Sequence, residues 1–109
     1  MFNLFSPETV GFKNLGGKEF KEAYEVSRSP ILIDVRTAGE YASGTIAGSK
    51  NIDIMSPLFK ETISKLEKDK QYFLFCRSGS RSAQACAIMA KEGFQVANLK
   101  GGIGEWTFK

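Results

Sequence analysis

The sequence contains no histidine, and that absence removes more chemistry than any other feature of the composition. Ser-His-Asp and Cys-His nucleophile pairs are excluded, and so are the paired-histidine zinc peptidase helix and Cys/His zinc fingers. The only cysteines are Cys76 and Cys86; they cannot complete a structural zinc site alone and allow at most one disulfide. No metal and no cofactor is expected. No apolar run approaches the roughly 20 residues that span a bilayer. The opening Met1-Phe2-Asn3-Leu4-Phe5-Ser6 has neither the basic start nor the long apolar stretch of an export signal. Net charge is only +3, with lysines spread along the chain rather than gathered into a nucleic-acid-binding block. The expectation is a chain without nucleic-acid or membrane partners, a monomer or weak dimer. Its expected location is cytoplasmic, or periplasmic if an export signal has been removed. Whatever reaction it carries must run without imidazole.

What is present fits one ordinary globular domain over residues 1–109, with its core at about 11–106. Hydrophobic residues make up 42% and charged residues 25% of the chain, the balance of a packed core with a solvated surface. No internal repeat, low-complexity tract or linker divides it. After a short apolar stretch at 10–15, Gly16-Gly17 opens a helical pattern with Phe20, Ala23 and Tyr24 on one face. Ile31-Leu32-Ile33-Asp34-Val35 and Tyr72-Phe73-Leu74-Phe75 are almost wholly apolar, as strands buried on both faces of a parallel sheet should be. Further strands are predicted at 46–54 and 96–99. A short helix is predicted over 38–43, one beginning at Ser56-Pro57 with Ser56 as N-cap, and an Ala-rich one over 82–92. Strands alternating with helices imply an α/β domain with a mainly parallel sheet and right-handed crossovers.

The segment that carries chemistry is Phe75-Cys76-Arg77-Ser78-Gly79-Ser80-Arg81-Ser82. A buried strand precedes it and a helix follows, which puts a thiol where open α/β sheets bind ligands. The residues after Cys76 are small or polar, and Gly79 is free to adopt a conformation closed to others. Their backbone N–H groups can converge as an anion-binding nest at a helix N-terminus, to which Arg77 and Arg81 add charge. All of this favours thiolate over thiol at Cys76. Cys86 lies among Ala83, Ala85, Ala87 and Ile88 with no cation beside it, and reads as a packed structural cysteine.

Four motifs in register make the chain resemble a single-domain rhodanese, a family related to thiosulfate sulfurtransferase. Leu32-Ile33-Asp34-Val35-Arg36 with Glu40-Tyr41 is similar to the family's first motif. Gly44-Thr45-Ile46-Ala47-Gly48-Ser49-Lys50-Asn51-Ile52 resembles its Gly-His-Ile-x-Gly-Ala-x-Asn-Ile segment. Cys76 to Ser82 resembles its active-site loop, and Leu99-Lys100-Gly101-Gly102 with Trp106 its C-terminal motif. Thr45 stands where the family has histidine, and Ser49 where it has alanine. The resemblance implies a rhodanese-like α/β fold, a central mainly parallel sheet of about five short strands with helices on both faces. It also implies sulfane-sulfur transfer from a donor such as thiosulfate to a thiol or cyanide acceptor through a Cys76 persulfide. That sequence of steps needs no general base, which suits a chain without histidine.

Competing readings are a persulfide carrier or binding module that delivers sulfur to a protein partner, and a phosphatase or arsenate reductase. The last pair carry five residues between Cys and Arg; here Arg77, Ser78, Gly79 and Ser80 make four. The anion-binding set is therefore Arg77, Ser78, Gly79, Ser80, Arg81 and Ser82, with both arginines expected to attract a dianionic donor. Arg77 should face the mouth of the pocket, and Arg81 should turn partly toward the helix and the support of the loop. Asp34, Arg36 and Glu40 read as pocket or structural support, with a link from Arg36 to Glu40. Gly101-Gly102 and Trp106 read as a turn and a core anchor.

Overall fold

The computed structural model describes residues 11–106. Residues 1–6 and Val10, discussed above, lie outside the described residues. In chain order the elements are β1 (Lys13–Leu15), α1 (Gly17–Val26), β2 (Pro30–Asp34), α2 (Ala38–Ala42), β3 (Lys50–Asn51), α3 (Phe59–Ser64), β4 (Gln71–Phe75), α4 (Ser80–Lys91) and β5 (Gln95–Leu99), followed by a 3₁₀ turn at Ile103–Glu105. The strands form one sheet in the order β1-β5-β4-β2-β3, every pair parallel. This is the α/β architecture expected, with five short strands and helices on both faces.

The two faces follow from the alternation of side chains along a strand. Ile33, Val35, Tyr72, Leu74, Cys76 and Val96 point to one side, where Phe59 and Ile63 of α3 and Ala85, Cys86 and Met89 of α4 cover them. Leu32, Phe73, Phe75, Ala97 and Leu99 point to the other, against Phe20 of α1, Ile46 and Trp106. Phe20 sits edge-on to both Phe73 and Trp106, so the single tryptophan is a core anchor as expected. Right-handed crossovers account for this split. The chain moves one way across the sheet through α1, then reverses after β3, so α3 and α4 must return over the opposite face. Loops leaving the neighbouring strands β2 and β4 therefore part, and a crevice opens at their carboxyl ends. Cys76 follows β4 directly into that crevice.

Three element boundaries differ from expectation. The strand predicted at 46–54 contracts to Lys50–Asn51, which pairs with Ile33 and Asp34 at the sheet edge. A turn at Gly48, with φ +89, uses up the residues before it. Ser56-Pro57 does not start a helix: the Ser56 hydroxyl accepts from Leu58 N–H at 3.1 Å in a turn, and α3 begins at Phe59 with Leu58 as N-cap. Finally, α4 starts at Ser80 rather than Ser82, with Gly79 as a left-handed N-cap at φ 96°. No helix among the described residues is long and apolar enough to cross a membrane.

Candidate active site

A helix N-terminus leaves backbone N–H groups without intrahelical partners. In α4 no side chain caps them. Instead they meet the Cys76 sulfur. Gly79 N–H lies 3.1 Å from Sγ, Ser82 N–H 3.3 Å, and the Ser82 hydroxyl 3.3 Å. Cys76 and Ser82 are both fully buried. Burial alone would push the thiol's pKa up. The Ser82 hydroxyl, then the N–H groups of Ser82, Gly79 and Ser78, outweigh it and bring the thiol below its ordinary range. The sequence predicted a nest; the structure adds the Ser82 hydroxyl, which does most to lower the thiol's pKa.

The nest is held from behind by the end of β5. Asn98, buried between Ala97 and Leu99, donates through Nδ2 to the Gly79 carbonyl at 3.2 Å and to Asn14 Oδ1 at 2.8 Å. Ile103 N–H donates to the Cys76 carbonyl at 2.8 Å. Gly101 and Gly102 do more than turn the chain, because they pack directly against the loop: a Cβ at Gly79 would stand 2.9 Å from Gly101 N. A polar residue inside the Val96-Ala97-Asn98-Leu99 run was the available signal for Asn98, and the sequence reading passed over it.

The arginines of the loop part ways. Arg77 is exposed, as are Ser78 and Ser80. Arg81 turns toward α2, where its two terminal nitrogens bind Glu40 at 2.8 and 3.1 Å. That corrects the expected link between Arg36 and Glu40. Arg36 lies before Thr37, the N-cap of α2, so it is not on the same helix as Glu40. Glu40 completes a capping box with Thr37 and faces Arg81 across the crevice. Its pKa falls to about 2, first through the Arg81 hydrogen bonds and then through Thr37 N–H. A cation in the first turn of a helix opposes the dipole, and Glu40 offsets it.

A rhodanese-like domain model matches residues 17–109. The chain belongs to the rhodanese-like family. It is 35% identical over 94 residues to the putative sulfurtransferase YtwF of Bacillus subtilis, covering 86% of this chain and 89% of that protein. A sulfurtransferase of Allochromatium vinosum is 39% identical over 78 residues, 71% of each chain. The crystal structure of a rhodanese-like domain protein from Staphylococcus aureus superposes with a TM-score of 0.76 at 26% identity, covering 90% of this chain and 94% of that one.

Against the rhodanese motif, the two departures in this chain form one cluster. Thr45 donates to Asp34 Oδ2 at 2.9 Å, and its hydroxyl lies 2.9 Å from that of Ser49. Asp34 also takes three contacts of 2.7–3.1 Å from the Arg36 guanidinium, whose Nη2 reaches on to the Gly44 carbonyl at 2.6 Å. Asn51 Nδ2 bonds the Asp34 and Arg36 carbonyls, each at 2.9 Å. Strand alternation turns Asp34 to the α1 side of the sheet, away from the face to which Cys76 points. Asp34 and Arg36 are thus a buried, hydrogen-bonded pair that ties the 44–51 segment to β2. Cys86 packs in the α4 layer, and burial, with the nearby Cys76 charge, raises its thiol pKa well above the ordinary value. Both cysteines are free thiols. Among the described residues no cluster of three or more His, Cys, Asp or Glu offers a metal site.

Proposed function

We propose that the protein is a sulfurtransferase in which Cys76 carries sulfane sulfur as a persulfide. The observation that carries this reading is the convergence of three donors on Cys76 Sγ. A thiolate held this way is ready to attack without proton removal. Its electron pair forms a bond to the outer sulfur of the donor. The donor's sulfur–sulfur bond breaks, and its electrons leave with the remaining group, sulfite in the case of thiosulfate. An acceptor thiolate or cyanide then attacks the terminal sulfur, and Cys76 departs as thiolate. The donors at Sγ stabilise the same anion as nucleophile in the first step and as leaving group in the second. Exposed Arg77 supplies attraction for an anionic donor. The names of the Bacillus and Allochromatium relatives support the same chemistry.

The test is Cys76→Ser, assayed for sulfur transfer from thiosulfate to cyanide with a thermal melt alongside. Loss of transfer with an unchanged melt is expected. Transfer at the parent's rate in that variant would overturn the reading.

A further inference from the structure

The sequence places two arginines beside Cys76; the structure pairs one of them, Arg81, with a carboxylate and leaves Arg77 exposed. Arg81 is bound by Glu40 through both terminal nitrogens. Its proton is held most by that hydrogen bond, and further by the charges of Glu40, Cys76 and Asp53. Arg81 therefore shares one electrostatic neighbourhood with the reactive sulfur, but it enters that neighbourhood already paired. Glu40 is not free to swing away. The capping box of α2 holds Oε1 against Thr37 N–H at 3.1 Å and aims the carboxylate at Arg81, 41 residues along the chain. Arg77 is exposed, and no ion pair ties it to another described residue.

We infer that Glu40 tunes the donor charge the site favours: by neutralising Arg81 it leaves Arg77 as the uncompensated loop cation, which narrows the electrostatic advantage of dianionic thiosulfate over a monoanionic donor, an organic thiosulfonate. The inference rests on the sulfur-transfer reading and refines it. For a thiosulfonate, the Cys76 thiolate bonds to the outer sulfur and the sulfur–sulfur bond breaks. A sulfinate monoanion then leaves with the electron pair. Glu40 touches neither substrate nor sulfur; it is a positioning residue that acts through Arg81.

The experiment measures kcat/KM for thiosulfate and for benzenethiosulfonate, with cyanide as acceptor, at low and high salt. The donors differ in charge, and each variant is compared with the parent through the ratio of the two values. Glu40→Gln keeps the capping oxygen but removes the carboxylate charge. It should raise the thiosulfate-to-benzenethiosulfonate ratio roughly three- to tenfold at low salt. Arg81→Gln leaves Glu40 unpaired and should lower the ratio. Both shifts should shrink at high salt. A bracing role alone would depress both donors equally in both variants. An unmoved ratio, or a shift in the same direction in both, overturns the inference while sulfur transfer stands. Absence of transfer from either donor in the parent overturns this inference and the proposed function together.

Discussion

Gly102 lies so close to Arg77 that a Cβ on the glycine would stand 1.9 Å from the Arg77 carbonyl oxygen and 2.6 Å from Ser78 N. Its backbone, at φ 86° and ψ −171°, occupies a region open essentially to glycine alone. The segment after β5 is therefore the backstop that fixes the carbonyl side of the nest, so that its N–H groups point at Cys76. Gly102→Ala should cost about 2 kcal/mol or more from conformation alone, before any displacement of the loop. A chemical denaturation curve would measure that loss. Slower alkylation of Cys76 in the fraction that still folds would show the nest disturbed, and parental stability with parental alkylation would show that the contact does not matter.

Ser82 gives the second prediction. Its hydroxyl is the foremost of the groups that lower the Cys76 pKa, so Ser82→Ala should move the inflection of iodoacetamide reactivity to higher pH. Below the thiol's pKa the anion is scarce, and rate climbs as pH rises through it. The variant should therefore be slowest relative to the parent on the acid limb, by roughly tenfold for one lost charge-assisted hydrogen bond. It should approach the parent at alkaline pH. Glu40 stays ionised down to about 2 and the chain has no histidine, which leaves Cys76 to shape the acid limb. Superimposable profiles for variant and parent would remove Ser82 from the machinery.

Cys86 should prove dispensable for turnover. It is fully buried in the layer between the sheet and α4, with a raised pKa that keeps it a thiol. Cys86→Ala is expected to lose about 1 kcal/mol of packing and to retain sulfur transfer close to the parental rate. Peptide mapping of the oxidised native protein should find no Cys76–Cys86 disulfide; a bridge there would instead point to dithiol redox chemistry.

How much of this was legible in the sequence depended on whether the relation was local. Cys76 and its nest could be read because the strand end, the glycine and the helix start are contiguous. The boundary of α4 was misread by two residues because a left-handed Gly79, not a serine, begins the helix. Asp34 and Arg36 are two apart on an extended segment and share a face, so their pairing was available from spacing. The expected link from Arg36 to Glu40 does not form: Thr37 caps α2 and leaves Arg36 outside the helix that carries Glu40. Arg81 and Glu40 are separated by 41 positions, and only the placement of β2 beside β4 brings them together. The contact of Asn98 with Gly79 was hidden for the same reason, since the two are 19 residues apart.

The most direct measurement is the intact mass of the protein before and after a sulfur donor, then after cyanide. Thiosulfate and benzenethiosulfonate should each add the mass of one sulfur atom to the parent, cyanide should remove it, and Cys76→Ser should gain nothing from either. A parent that never gains the sulfur, or a Cys76→Ser protein that gains and releases it as the parent does, would contradict a Cys76 persulfide.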